Sequence, residues 1–130
     1  MMEKMNKKPK TNSEAFLNKI VYVTMDRPLG CRHPLHGFVY PVNYGYIEGV
    51  ISGDGEELDA YVLGEHEPLE SFKGRVVAII HRINDDDDKL IVMADGRNYS
   101  DEQIMALTEF QEQYFKSVII RPTLENKLNK

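Results

Sequence analysis

The stretch Asp54-Gly55-Glu56-Glu57-Leu58-Asp59 packs four carboxylates into six residues, with a glycine where the chain must turn. Neighbouring like charges repel by about 1 kcal/mol per close pair even in water. Such a cluster therefore suits a compensating cation. Hard divalent ions are the natural choice because they take oxygen ligands. A second acidic run, Asp85 to Asp88, lies between two apolar segments. If the two turns open on the same end of a barrel, their carboxylates face one small volume. Such a site binds metal and activates water. A plainer reading also stands: the Asp85 to Asp88 run is a solvated hairpin turn. The ligand periodicity of an EF-hand is absent.

A basic group complements the acids. Arg27, Arg32, His33 and His36 fall in one loop rich in glycine and proline. The fork of an arginine matches phosphate oxygens, although an exposed loop pairing with surface acids gives the same pattern. The histidines lack the spacing of a zinc site. Tyr40, Tyr44 and Tyr46 recur at even spacing, so on a strand they share a face. They read either as core rings or as phenols that reach a phosphate or hold a carboxylate. Lys89, Tyr114 and Lys116 admit the same two kinds of reading. Carboxylates for a hard metal beside cations and phenols for phosphate point to chemistry on a phosphoanhydride. No P-loop, GxGxxG or Ser–His–Asp order competes, and Cys31 reads as a neutral residue.

These groups need a scaffold. Residues 1–13 are polar and lysine-rich and read as a mobile tail. A single domain follows over 14–122, with a polar tail over 123–130. Glu14 to Asn18 suggests one helical turn. Ile20 to Met25 alternates as a strand with Val21 and Val23 on one face. Phe38 to Ile47 reads as a strand bent by Pro41 and Gly45. Leu58 to Leu63 reads as another. Gly74 to Ile83 is continuously apolar and is expected to be a buried strand, returning through the acidic turn to Leu90 to Met93 as a hairpin. Ser100 and Gln103 have capping-box spacing, opening a helix with Ile104, Leu107, Phe110 and Tyr114 on one face. Val118 to Ile120 is a last short strand. Short strands and one long helix, without a βαβ alternation, predict a mainly β, α+β fold: a small closed, OB-like barrel with the helix laid against it.

Composition narrows the function further. A net charge of −5 over 130 residues argues against general nucleic-acid binding. One cysteine allows no internal disulfide and suits a reducing compartment. No apolar run is long enough for a membrane span, and no apolar signal region follows the basic N-terminus. A cytoplasmic protein acting on a small molecule is expected.

Tyr40-Pro41-Val42-Asn43-Tyr44-Gly45-Tyr46-Ile47, then the acidic stretch, then Asp87-Asp88-Lys89-Leu90 resembles the soluble family I inorganic pyrophosphatases. The likeness runs in order from about Tyr40 to Lys116. It implies a five-stranded barrel, a homo-oligomer, Mg²⁺ dependence (with Mn²⁺ as a substitute) and hydrolysis of pyrophosphate to two phosphates. By position it implies metal binding at Asp54, Asp59, Asp85 and Asp87, and water activation by Glu56 with Asp59. Tyr44 falls on the active-site tyrosine, while Lys89 and Tyr114 fall on phosphate ligands. The sequence departs from the family pattern at several points. Glu56 stands where aspartate is usual, its extra methylene moving the carboxylate by about 1 Å. Phe115 stands where a lysine is expected, with Lys116 one residue later. The family's N-terminal hairpin with further phosphate ligands has no clear counterpart. The loop from Asp26 to His36 stands in its place, so Arg27, Arg32, His33 and His36 are expected to take over phosphate binding. A non-catalytic phosphate- or nucleotide-binding relative and a hydrolase of an organic diphosphate remain the alternatives.

Overall fold

The computed structural model describes residues 13–52, 55–85 and 87–128. A 3₁₀ turn, Ser13–Phe16, leads into six strands: β1 (Ile20–Arg27), β2 (Asn43–Ile51), β3 (Glu57–Val62), β4 (Ser71–Arg82), β5 (Asp87–Met93) and β6 (Ser117–Ile120). Two helices, α1 (Asp101–Glu112) and α2 (Leu124–Leu128), flank β6. β1, β2 and β3 pair antiparallel in succession, β3 runs parallel to β5, and β5 pairs antiparallel with β4. β4 then pairs with β1, which closes a five-stranded barrel, and β6 adds to β4 from outside. The length of β4 makes both pairings possible. Its first residues face β1, while Ile79 to Arg82 face β6, with a register shift between Val76 and Ala78. Such shifts bend a strand and increase its twist. No helix among the described residues is long and apolar enough to cross a membrane.

Period-two alternation sorts the side chains into two cores. Val21, Val23, Leu58, Ala60, Val62, Leu90 and Val92 fill the barrel interior. Tyr61, Leu63, Ile80, Ile91 and Met93 point outward and are covered by Ile104, with Leu107 and Phe110 packed alongside. The capping box at Ser100 and Gln103 forms as the sequence predicts. Arg121 fixes the helix start to the barrel, donating to the Tyr99 and Val77 carbonyls and pairing with Asp101 at 2.8 Å.

Three sequence expectations need correction. The second strand begins at Asn43 rather than Phe38, because Pro41 cannot donate to a ladder. Buried Asn43 instead anchors loops: its Oδ1 accepts from the Leu29 and Leu69 amides, and its Nδ2 donates to the Glu67 carbonyl. The same strand runs on to Ile51, past its expected end at Ile47. Tyr114 lies past the end of α1, 72% exposed, and does not join the helix face. Residues 1–12 and 129–130 of the two expected tails lie outside the described residues, while the start of the C-terminal stretch forms α2.

Gly45 is required by a close approach. A Cβ there would sit 2.0 Å from the Thr24 carbonyl oxygen and 2.8 Å from the Met25 Cα. Only a backbone shift in β1 could relieve that clash. Gly45→Ala is therefore expected to destabilise the fold by about 3 kcal/mol or more. A denaturant midpoint close to wild type would show that β1 yields easily.

Candidate active site

Strand register brings the candidate side chains together on the outside of the barrel. Asp59 pairs in register with Lys89, Tyr44 with Tyr61, and Arg82 with Asp87. Asp59, Lys89 and Arg82 alternate with the residues that fill the interior, so they face outward, beside the end of α1. The Lys89 ammonium donates to Asp59 Oδ2 at 2.6 Å and to Asp87 Oδ2 at 2.9 Å. The Tyr44 hydroxyl donates to the same Asp59 oxygen at 2.9 Å. Burial raises the Tyr44 pKa well above its usual value, and the Asp59 charge adds to the effect, so the phenol stays protonated. Burial alone would lower the Lys89 pKa. Asp59 and Asp87 more than offset it and keep the ammonium charged.

A second network lies beside the first. Arg82 is buried and grips Glu112 with two hydrogen bonds, at 2.9 and 2.8 Å. Its guanidinium lies 3.7 Å from the Phe115 ring centroid and 3.6 Å from Asp87. Glu112 also accepts from Tyr61 at 2.6 Å, and the Tyr61 hydroxyl accepts from the Gln111 amide at 2.7 Å. Tyr40 donates to the other end of Gln111 at 3.2 Å. Sequence reasoning missed Arg82, Gln111 and Glu112. Arg82 closes a run that reads as an ordinary buried strand, and Glu112 sits on a helix whose polar residues read as solvated. The one available signal was an arginine ending an apolar strand just before an acidic turn.

These groups and the 28–40 loop enclose a pocket of ≈ 740 Å³ lined by His33, His36, Phe38, Tyr44, Arg82, Lys89, Gln111, Tyr114 and Phe115. From the basic loop, the two histidines reach it. Burial, then the charges of His36 and Arg27, lower the His33 pKa. Its Nδ1 accepts from the Leu35 and His36 amides, which fits a neutral ring. Arg27 and Arg32 do not line the pocket; they donate to the Asp26 and Gly37 carbonyls. Lys116 is exposed and also outside the lining; its amide donates to Asn84 Oδ1.

The acids divide. Asp85 accepts from the Asp87 amide and lies 3.7 Å from Arg82. Asp88 faces away, bound to His81 at 2.6 Å and to Ser13. Glu56 is exposed in the turn before β3. Asp54 and Asp86 lie outside the described residues. Asp26 occupies the irregularity of β1 between Met25 and Arg27. Burial raises its pKa against the pull of Arg27, and the nearby charges of Asp59 and Glu57 raise it further. For a hard divalent cation the donor chemistry is right, because Asp59 and Asp87 bring carboxylate oxygens from two strands to one ammonium. Among the described residues no three His, Cys, Asp or Glu side chains gather to hold a metal.

Glu112→Ala strands the Arg82 guanidinium in the interior and should cost about 3–5 kcal/mol of stability, read from urea unfolding. Replacing both partners, Arg82→Met with Glu112→Leu, should recover most of that loss. A double variant no more stable than Glu112→Ala would mean that the pair is not an isolated buried couple.

The inorganic pyrophosphatase family profile matches residues 4–120. An inorganic pyrophosphatase of Neisseria meningitidis serogroup B is 32% identical over 87 residues, 62% of this chain and 48% of that protein. One from Saccharolobus solfataricus is 29% identical over 76 residues, 57% of this chain and 44% of that protein. The chain thus spans about half the length of the curated relatives it matches. The crystal structure of the Ehrlichia chaffeensis inorganic pyrophosphatase superposes with a TM-score of 0.66 at 18% identity, covering 95% of this chain and 96% of that one. The Helicobacter pylori inorganic pyrophosphatase gives 0.62 at 18% identity, covering 94% of each. At that identity the superpositions speak for a shared fold. With the profile running over nearly the whole sequence, the chain belongs to the inorganic pyrophosphatase family.

Proposed function

We propose that the protein hydrolyses inorganic pyrophosphate to two phosphates in a divalent-metal-dependent reaction. The observation that carries this reading is the Asp59 carboxylate, held by Tyr44 and Lys89, two residues that line a pocket whose other lining cation is Arg82. Lys89 and Arg82 attract the substrate and offset the charge that builds on the leaving phosphate. Tyr44, kept protonated, steadies Asp59 and presents its hydroxyl at the pocket wall. Glu56 takes the proton of the attacking water from its place at the mouth of β3. Tyr114 and His36 stand at the rim, where they can contact the substrate. Arg27, Arg32 and Lys116 add to the long-range attraction of an anion. Asp59, Asp85 and Asp87, with Asp54 of the acidic stretch, would hold Mg²⁺. When bound, that ion would polarise the phosphoryl oxygens and ease deprotonation of the water.

The test is phosphate release from pyrophosphate by the purified protein, with Mg²⁺ present and then chelated. Release is expected to depend on the metal. Asp59→Asn should lower kcat by about 100-fold or more and weaken Mg²⁺ binding by at least about tenfold in a direct titration. Release that survives chelation, or an Asp59→Asn variant working at the wild-type rate, would sink the assignment. Binding of pyrophosphate without turnover would make the protein a phosphate-binding relative instead.

A further inference from the structure

The pocket is built for more than a bare diphosphate. At ≈ 740 Å³ it falls within the roughly 300–1,000 Å³ range of pockets that bury ligands with an organic skeleton, and pyrophosphate would fill only a fraction of it. Its lining is two-sided. Lys89 and Arg82 supply positive charge near Asp59 and Asp87. Much of the remaining wall is rings, with no aliphatic side chain among the lining residues. His33 lies 4.7 Å from His36 and 4.9 Å from Phe38, centroid to centroid, and Phe38 packs edge-on to Phe110 at 5.7 Å. That packing backs the ring wall with the hydrophobic core under α1 and leaves Phe38 lining the pocket. Phe115 lines it too, beside the Arg82 guanidinium.

Pyrophosphate has no apolar surface to place against those rings, so they contribute little to its binding. A flat heteroaromatic group attached to the diphosphate would stack on them, and each such contact is worth roughly tenfold in affinity. An isoprenoid chain would find no aliphatic partners. From the pairing of a cationic floor with an aromatic wall, we infer that this site takes nucleoside diphosphates. The phosphates rest on Lys89 and Arg82 and the base lies against Phe38 and His36. The inference rests on the reading that the site cuts a phosphoanhydride. In that reaction water oxygen bonds to the terminal phosphorus as the bridging oxygen leaves with the inner phosphate. The products are a nucleoside monophosphate and inorganic phosphate, and the proton that Glu56 takes from the water passes on to the phosphate product or to solvent.

The experiment compares two non-hydrolysable ligands by calorimetry in the presence of Mg²⁺: methylenediphosphonate and the α,β-methylene analogue of ADP. The nucleoside analogue is expected to bind about tenfold more tightly or better. Phe38→Ala should bring that ratio close to unity, and His36→Ala, at an exposed position that spares folding, should reduce it. Equal or weaker binding of the nucleoside analogue would overturn the inference. So would a prenyl-bearing analogue that binds as tightly as the nucleoside one. Phosphate release from pyrophosphate is measured on the same preparation. Its absence counts against the catalytic reading alone, because the ratio of the two affinities reports on the ring wall without any turnover.

Discussion

One buried ammonium organises the working face of this barrel. Lys89 comes from β5, Asp59 from β3 and Asp87 from the first residue of β5, and the three meet at 2.6 and 2.9 Å. An ammonium that deep stays charged only because two carboxylates answer it. The carboxylates in turn stay close together only because the ammonium lies between them. The parallel pairing of β3 with β5 sets Asp59 opposite Lys89, so the arrangement follows from strand register and needs no special loop. A small cation of higher charge, offered to the same oxygens, would compete with Lys89 for them.

The second support comes from the helix. Glu112 is the last residue of α1, and it reaches the barrel to hold Arg82 and accept from Tyr61. Its depth makes the contact strongly dependent on geometry, since a buried charge without its partner is costly. The helix position is set at its other end by the Ser100 cap and by Arg121. Helix and floor are therefore coupled: a shift of α1 along the barrel would separate Arg82 from its partner and Tyr40 from Gln111.

Much of this was legible in the sequence, for physical reasons. Alternation gave away β1, because one of its faces is exposed while the other is in the barrel, and a continuous apolar run gave away β4, which is covered on both faces, with β5 returning from the acidic turn after it. The capping box marked the start of α1 because unsatisfied backbone amides need such side chains. Tyr44, Asp59, Asp87 and Lys89, picked out from type and position, do converge. The failures have causes too. Pro41 was read as a bend inside a strand when it delays the strand. Tyr114 continued the helical spacing, but the helix stops at Glu112. The partnership of Arg82 with Glu112 spans a long sequence separation, and neither residue has a local pattern that announces it. The loop arginines looked like anion ligands by composition, yet Arg32 spends its guanidinium on its own loop's carbonyl.

The chemistry-bearing side chains stand on the outer wall, while the lumen is filled with Val, Leu, Ile and Ala. What recognises a ligand and what keeps the barrel closed are thus carried by opposite faces of the same strands. The 28–40 loop touches the pocket and leaves the lumen alone. Its pocket-facing residues can vary while buried Tyr40 keeps its packing on Phe110 and Leu29 its bond to Asn43, so the barrel can accept a new substrate by renewing one wall. A lineage of such proteins would diverge in what they bind faster than in how they fold.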